Sequence, residues 1–205
     1  MEIMFTKKCE NNYFNNKNFI GFKGGIEDLN ILLANLEISK IKMNKKVKFY
    51  IDKNQDYLKP LGLEESILKM KIEDLSNSDL KLILLIKTIL LKPQLIILNN
   101  FEIGINDRMI NRLVRFIKTI NGAFNIKFMF ISHNPIFLNK IIKDMLVMKN
   151  GIVKYQGNLL AAVGQNILEL PEIIKFIQMA NEKNAELKNT LEEKELLKDI
   201  YRSVN

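Results

Sequence analysis

The chain has 205 residues, 47% of them hydrophobic, and a formal net charge of +8. That is the size of one domain with at most a small appendage, and it is too apolar for a disordered polymer. The lysines are scattered and no basic stripe is interleaved with aromatic residues, so nucleic acid is not the expected partner.

Cys9 and His133 are the lone cysteine and histidine, which excludes an internal disulfide framework and a cysteine- or histidine-rich metal centre. The first residues lack the long apolar region of a signal peptide. The longest apolar run, 80–91, is broken by Lys81 and Lys87 and falls short of the ~20 residues a membrane span needs. The expectation is a cytoplasmic protein that meets a membrane only through partners.

In chain order, residues 3–5 and 19–22 read as short strands. The glycine-rich stretch Gly21-Phe22-Lys23-Gly24-Gly25 reads as a turn. It leads into an amphipathic helix over 26–36, with Ile26, Leu29, Leu33 and Leu36 on one stripe. Residues 46–51 alternate like a strand, and 52–63, broken by Pro60 and Gly62, read as a loop. Ser76 with Asp79 three residues on predicts an N-cap and the start of a helix that runs to the end of the apolar stretch at 91.

The apolar runs 95–98 and 127–131 predict strands buried on both faces of a parallel sheet. Between them, Ile110, Leu113, Val114 and Ile117 recur at helical spacing, which makes a βαβ unit. Asn150-Gly151 between two apolar stretches predicts a tight hairpin. A boundary is expected near Asn158, separating a core over 1–157 from a helical extension over 158–205. In that extension a helix over 171–180 has Pro171 at its first position, and Thr190-Leu191-Glu192-Glu193 reads as a capping box opening a last helix through Tyr201.

The glycine turn lies between a strand and a helix, where a phosphate-binding loop would sit. Such a loop ends in Gly-Lys-Ser/Thr, whose lysine reaches the phosphates and whose hydroxyl holds Mg²⁺. Here Ile26-Glu27-Asp28 stands in that place and the loop is one residue short. Two carboxylates there repel phosphate and offset what the helix N-terminus contributes. Taken singly, the glycines are an ordinary turn, Asn99-Asn100 an ordinary strand end, Leu75 to Asp79 an ordinary helix cap and His133 a loop histidine. No Ser-His-Asp triad or carboxylate dyad is evident from spacing.

Taken together and in order, these segments resemble the catalytic half of an ABC-type ATPase whose reactive side chains are replaced. Leu75-Ser76-Asn77-Ser78-Asp79 stands where the family has its LSGGQ signature. Asn99 and Asn100 stand where it has the Asp-Glu that ends Walker B, and Gly104-Ile105-Asn106 where it has the D-loop. His133, within Ile131-Ser132-His133-Asn134-Pro135, stands at the H-loop, and Gln55 is the candidate for the Q-loop glutamine. Asn166 to Ile173 and Leu187 to Leu196 are similar to the tail of energy-coupling-factor and cobalt/nickel-type ATPases.

The resemblance implies a P-loop α/β fold in three layers. The β- and helical subdomains are reduced, and a C-terminal helical extension supports dimerisation. It implies nucleotide contacts at Gly21, Gly24, Gly25, Glu27, Asp28 and Gln55, magnesium at Asn99, the general base at Asn100 and a phosphate contact at His133. It implies that Ser76, Asn77, Ser78 and Asp79 face the nucleotide of a partner subunit. Asparagine takes no proton, and losing a general base costs ~10²–10⁴ in rate. The expectation is therefore a catalytically inactive subunit of a vitamin or metal-ion importer, with ATP and Mg²⁺ bound only if residual affinity survives. Its partners would be a competent ABC ATPase paralogue and an integral-membrane subunit, or a second copy of itself. The alternatives are an interaction or regulatory module of ABC descent and a weak residual ATPase. Ile173, Ile174, Phe176 and Ile177 are the expected source of nucleotide-independent dimer contacts.

Overall fold

The structure, a computed structural model, describes residues 3–9, 12–14, 17–33 and 35–204. Strands β1 (Ile3–Thr6), β2 (Phe19–Lys23) and β3 (Glu37–Ile38) flank helix α1 (Ile26–Leu32). Short helices α2 (Lys48–Ile51) and α3 (Leu58–Leu61) precede the long α4 (Asn77–Leu90). Then come β4 (Leu95–Asn99), α5 (Asp107–Phe124), β5 (Lys127–Ile131), α6 (Pro135–Asn139), β6 (Asp144–Lys149) and β7 (Ile152–Asn158). Helices α7 (Leu159–Gly164), α8 (Glu172–Asn181) and α9 (Glu193–Val204) end the chain.

The strands form one seven-stranded sheet in the order β3-β1-β4-β5-β2-β6-β7. Its centre, β4-β5-β2-β6, is parallel, and β1, β3 and β7 join antiparallel. Alternation along the central strands separates two cores, as period-2 geometry demands. Ile96, Leu98, Phe128 and Phe130 face the layer of α4, α5 and the C-terminal helices. Leu95, Ile97 and Met129 face the smaller layer containing Leu29 and Leu32 of α1. The result is helix on both faces of a largely parallel sheet.

The buried strands, the α5 crossover and the hairpin agree with the sequence reading. Asn150 (φ 54°) and Gly151 (φ 75°) both adopt the left-handed conformation that a tight hairpin of this hand requires. Ser76 caps α4 and accepts the Asp79 N–H at 3.1 Å.

Five readings need correction. Residues 46–51 are not a strand: apart from one isolated bridge from Lys46 to Lys71 they form α2, because Val47 and Ile51 sit one helical turn apart and both are buried. The expected loop over 52–63 is a 3₁₀ turn running into α3, closed by left-handed Gly62. Tyr57 packs edge-on against Phe116 of α5. Helix α1 stops at Leu32, with Leu33 extended, and Ile26 is exposed rather than on the buried stripe. Pro171 is the N-cap of α8 rather than its first helical residue, and Thr190, three residues before α9 begins, accepts the Glu192 N–H in a turn.

The C-terminal helices share the main core. Leu159, Ala162, Val163, Leu168, Ile174 and Ile177 belong to the same buried cluster as Phe128 and Phe130. Ile174 and Ile177, expected at a dimer face, are therefore used within the chain, whereas Phe176 and Met179 are exposed. Lys23 at the end of β2 donates to the Ile167 carbonyl at 2.6 Å and ties the extension to the glycine turn.

Candidate functional site

The parallel strands β2, β4 and β5 deliver Lys23, Asn99 and Ile131 to one edge of the sheet, the carboxyl edge where open α/β sheets place their ligands. Two clefts of about 850 Å³ each open beside this edge, and exposed His133 lines both.

The first cleft is bounded by Gly24, Gly25, Glu27, Asp28 and the hairpin tip at Asn150 and Gly151. Gly21 is not part of it. It lies inside β2, and a Cβ there would come within 2.0 Å of the Met145 Sδ and 2.4 Å of the Ile142 Cδ1. Close packing under β6 accounts for that glycine. The turn proper begins at Gly24, where a Cβ would meet the Phe22 ring at 2.8 Å.

Asp28 dominates this cleft. Its Oδ2 accepts the Gly25 N–H at 2.9 Å and its Oδ1 accepts the Gly151 N–H at 2.7 Å. The residue is buried. The Gly151 N–H, then the Gly25 N–H, hold its carboxyl below the usual aspartate range, and burial opposes them. One backbone donor at the glycine turn and one at the hairpin tip are thus taken by an anion of the chain itself. Glu27 is exposed beside it. Lys23, at the end of β2 beside the turn, donates to Ile167, and Lys149 and Lys154 line the cleft from the hairpin.

The second cleft is built on the ends of β4 and β5. Asn99 pairs in register with Ile131, and the Asn100 N–H donates to the Ile131 carbonyl at 2.7 Å. That bond folds Asn100 into the left-handed region at φ 46°, which asparagine tolerates far better than glutamate does. Asn99 and Asn100 are neutral amides, and among the described residues no three His, Cys, Asp or Glu side chains cluster to hold a metal ion. This donor set does not fit Mg²⁺, a hard dication that takes carboxylates.

Sequence reasoning missed Glu102. It is buried, and its Oε1 accepts from the Ser132 hydroxyl, beside His133. Ser132 Oγ also accepts the Asn134 N–H at 3.0 Å. The Glu102 Oε2 is buried without a partner among the described residues. From α4, Lys81 donates to the carbonyls of Phe101 (3.1 Å) and Ile103. Burial pulls its ammonium below the ordinary lysine range, and the Glu102 charge opposes this. The only hint in the sequence was a charged residue two positions after the Asn pair.

The remaining sequence candidates lie elsewhere. Ser76 donates to the Asp79 Oδ2 at 2.7 Å, and the Ser78 Oγ is 3.0 Å away, so the polar groups of this helix start satisfy one another. Ser76, Asn77, Ser78 and Asp79 line neither cleft, and neither does Gln55, exposed in the 3₁₀ turn.

The fold is that of ATP-binding cassettes of ABC transporters. A bacterial ABC transporter cassette solved as a dimer superposes with TM-score 0.52 at 11% identity, over 77% of this chain and 98% of that one. A structure described as a cobalt transport ATP-binding protein superposes with TM-score 0.53 at 12% identity, over 78% and 81%. By sequence, the chain is similar to the nickel import ATP-binding protein NikE of Shigella flexneri serotype 5b (strain 8401), 25% identical over 96 residues. That match takes in 47% of this chain and spans only 36% of the relative's length. No protein-family model matches.

Proposed function

We propose that the chain is a non-catalytic, cassette-like subunit of an importer of the energy-coupling-factor or cobalt/nickel kind. It would pair with a competent ATPase and an integral-membrane subunit at the inner face of the membrane. In this reading residues 1–157 are the degenerate cassette core and 158–205 an extension that supports assembly. The cassette fold and the similarity to a nickel import ATP-binding protein support the descent. No helix among the described residues is long and apolar enough to cross a membrane.

The observation that carries the inactive reading is the Asp28 carboxylate. A nucleotide phosphate approaching the glycine turn finds the Gly25 and Gly151 donors already bonded to a negative charge. It meets Glu27 and Asp28 where a lysine and a hydroxyl would be needed. The β4 end adds two amides that neither bind magnesium well nor accept a proton.

Calorimetry of the pure chain with Mg-ATP tests this. The expected result is no saturable heat in the micromolar range. A micromolar complex, about −8 kcal/mol, overturns the reading. Phosphate release indistinguishable from buffer is the companion result. Robust release that vanishes on His133→Ala would establish the residual ATPase instead.

A second reading, an interaction module that has left transport, is favoured by the second cleft. It has an apolar floor, lies beside rather than on the glycine turn and is rimmed by carboxylates, a poor place for nucleotide. Copurification with an integral-membrane subunit separates the two.

A further inference from the structure

The second cleft carries more charge of one sign than the rest of the molecule leads one to expect. The chain is +8 overall, yet this cleft is lined by Glu102, Asp107, Glu169, Glu172 and Glu193 against a single lysine, Lys175. Lys175 is itself paired with Glu172 at 2.6 Å. Asp107, Glu169 and Glu193 stand exposed around the mouth. The floor is apolar, made by Ile105, Ile110 and Ile173, with exposed Ile103 and Ile136 at its lip. Glu102, nine-tenths buried in the wall, keeps one carboxylate oxygen without a donor among the described residues, while the nearby Lys81 ammonium donates to two backbone carbonyls.

We infer that this cleft is a docking groove for a basic amphipathic segment of a partner protein. Apolar side chains would enter over the isoleucines, and lysine or arginine heads would meet the carboxylate rim. Like charge turns phosphates away, so nucleotides, nucleic acid and anionic membrane are not the occupants. A second copy of this chain is a poor fit as well. Among the described residues the strongly basic amphipathic helix is α5, with Arg108, Arg112 and Arg115, and it already buries its apolar face in the main core. Its last helix, α9, carries mixed charge. This inference does not depend on descent from a transporter.

Fluorescence anisotropy of the full chain with two labelled helical peptides of about 18 residues tests it, one of Leu and Lys and one of Leu and Glu. The Leu/Lys peptide should bind saturably. Reversal of Asp107, Glu169 and Glu193 to Lys, all exposed, should weaken it at least about tenfold, and so should raising salt from about 50 to 500 mM. The exposed control Glu64→Lys with Glu65→Lys should not change it. Ile103→Ser with Ile136→Ser should also weaken it, and this second variant decides the matter if the triple reversal melts early by circular dichroism. Equal binding of the Leu/Glu peptide, a triple reversal no weaker than the control, or no saturable binding overturns the proposal. Self-association of the chain that the Leu/Lys peptide fails to displace would assign the groove to a second copy, and that also overturns it.

Discussion

The Asp28 carboxylate accepts the backbone N–H of Gly151 at 2.7 Å across a sequence separation of 123 residues. With its other oxygen it accepts the Gly25 N–H at 2.9 Å, so one side chain fastens the tip of the β6–β7 hairpin to the start of α1. The arrangement takes up two backbone donors with an anion of the chain itself.

Asp28→Ala should release the latch. Hydrogen exchange at the Gly25 and Gly151 amides is expected to accelerate, while amides in the β4–β5 pair keep their protection. Unchanged exchange at both glycines would contradict the latch.

The same contact sets a pH dependence. The Asp28 carboxyl is held below the ordinary aspartate value of about 3.9. A depressed folded-state value means the stabilisation is complete above the unfolded-state value and is lost as pH falls through the folded-state one. Thermal melts from about pH 6 down to pH 2 should therefore show the advantage of the native chain over Asp28→Asn shrinking below about pH 4. A constant gap over that range would rule the mechanism out.

Gly21→Ala separates packing from ligand contact. The added methyl collides with Met145 and Ile142, and overpacking of this kind costs about 1–3 kcal/mol. Urea denaturation measures it. Met145→Ala in the same chain should recover part of the loss, which a role in nucleotide contact would not predict.

Lys81→Met leaves the Phe101 and Ile103 carbonyls without their charged donor and Glu102 without its nearby positive charge. Hydrogen bonds to charged groups contribute about 1.5–3 kcal/mol each, and two are lost, so a destabilisation of about 3 kcal/mol is expected in urea.

Much of the fold was legible because its signals are local. The runs 95–98 and 127–131 are short and apolar, as strands buried on both faces are, and Asn150-Gly151 supplies the left-handed pair a tight hairpin needs. The 46–63 segment was not legible. Val47 and Ile51 are compatible with a short alternating strand until α4 and α5 supply the surface they pack on, and six residues hold too little periodicity to decide. The two contacts that define the site, Asp28 with Gly151 and Glu102 with Ser132, join residues far apart in the chain. No spacing rule reaches that far.

Truncation after Asn158 removes Leu159, Val163, Leu168, Ile174 and Ile177 from the main core. Each buried aliphatic side chain contributes about 1.5–3 kcal/mol, and a whole domain has only about 5–15 kcal/mol to lose. Residues 1–158 alone are expected to melt without a cooperative transition and to bind a hydrophobic dye. A sharp melt would show that the extension is an independent appendage.

Asn100 sits at φ 46°, in a bend that its own N–H holds against Ile131. A glutamate placed there meets a strained backbone, and a hydroxyl or lysine in place of Asp28 unties the hairpin tip from the start of α1. Both positions are held by what their neighbours require of them, so substitution at either begins with a loss of stability. Evolutionary change is therefore expected to accumulate more slowly at these two sites than on the exposed surface.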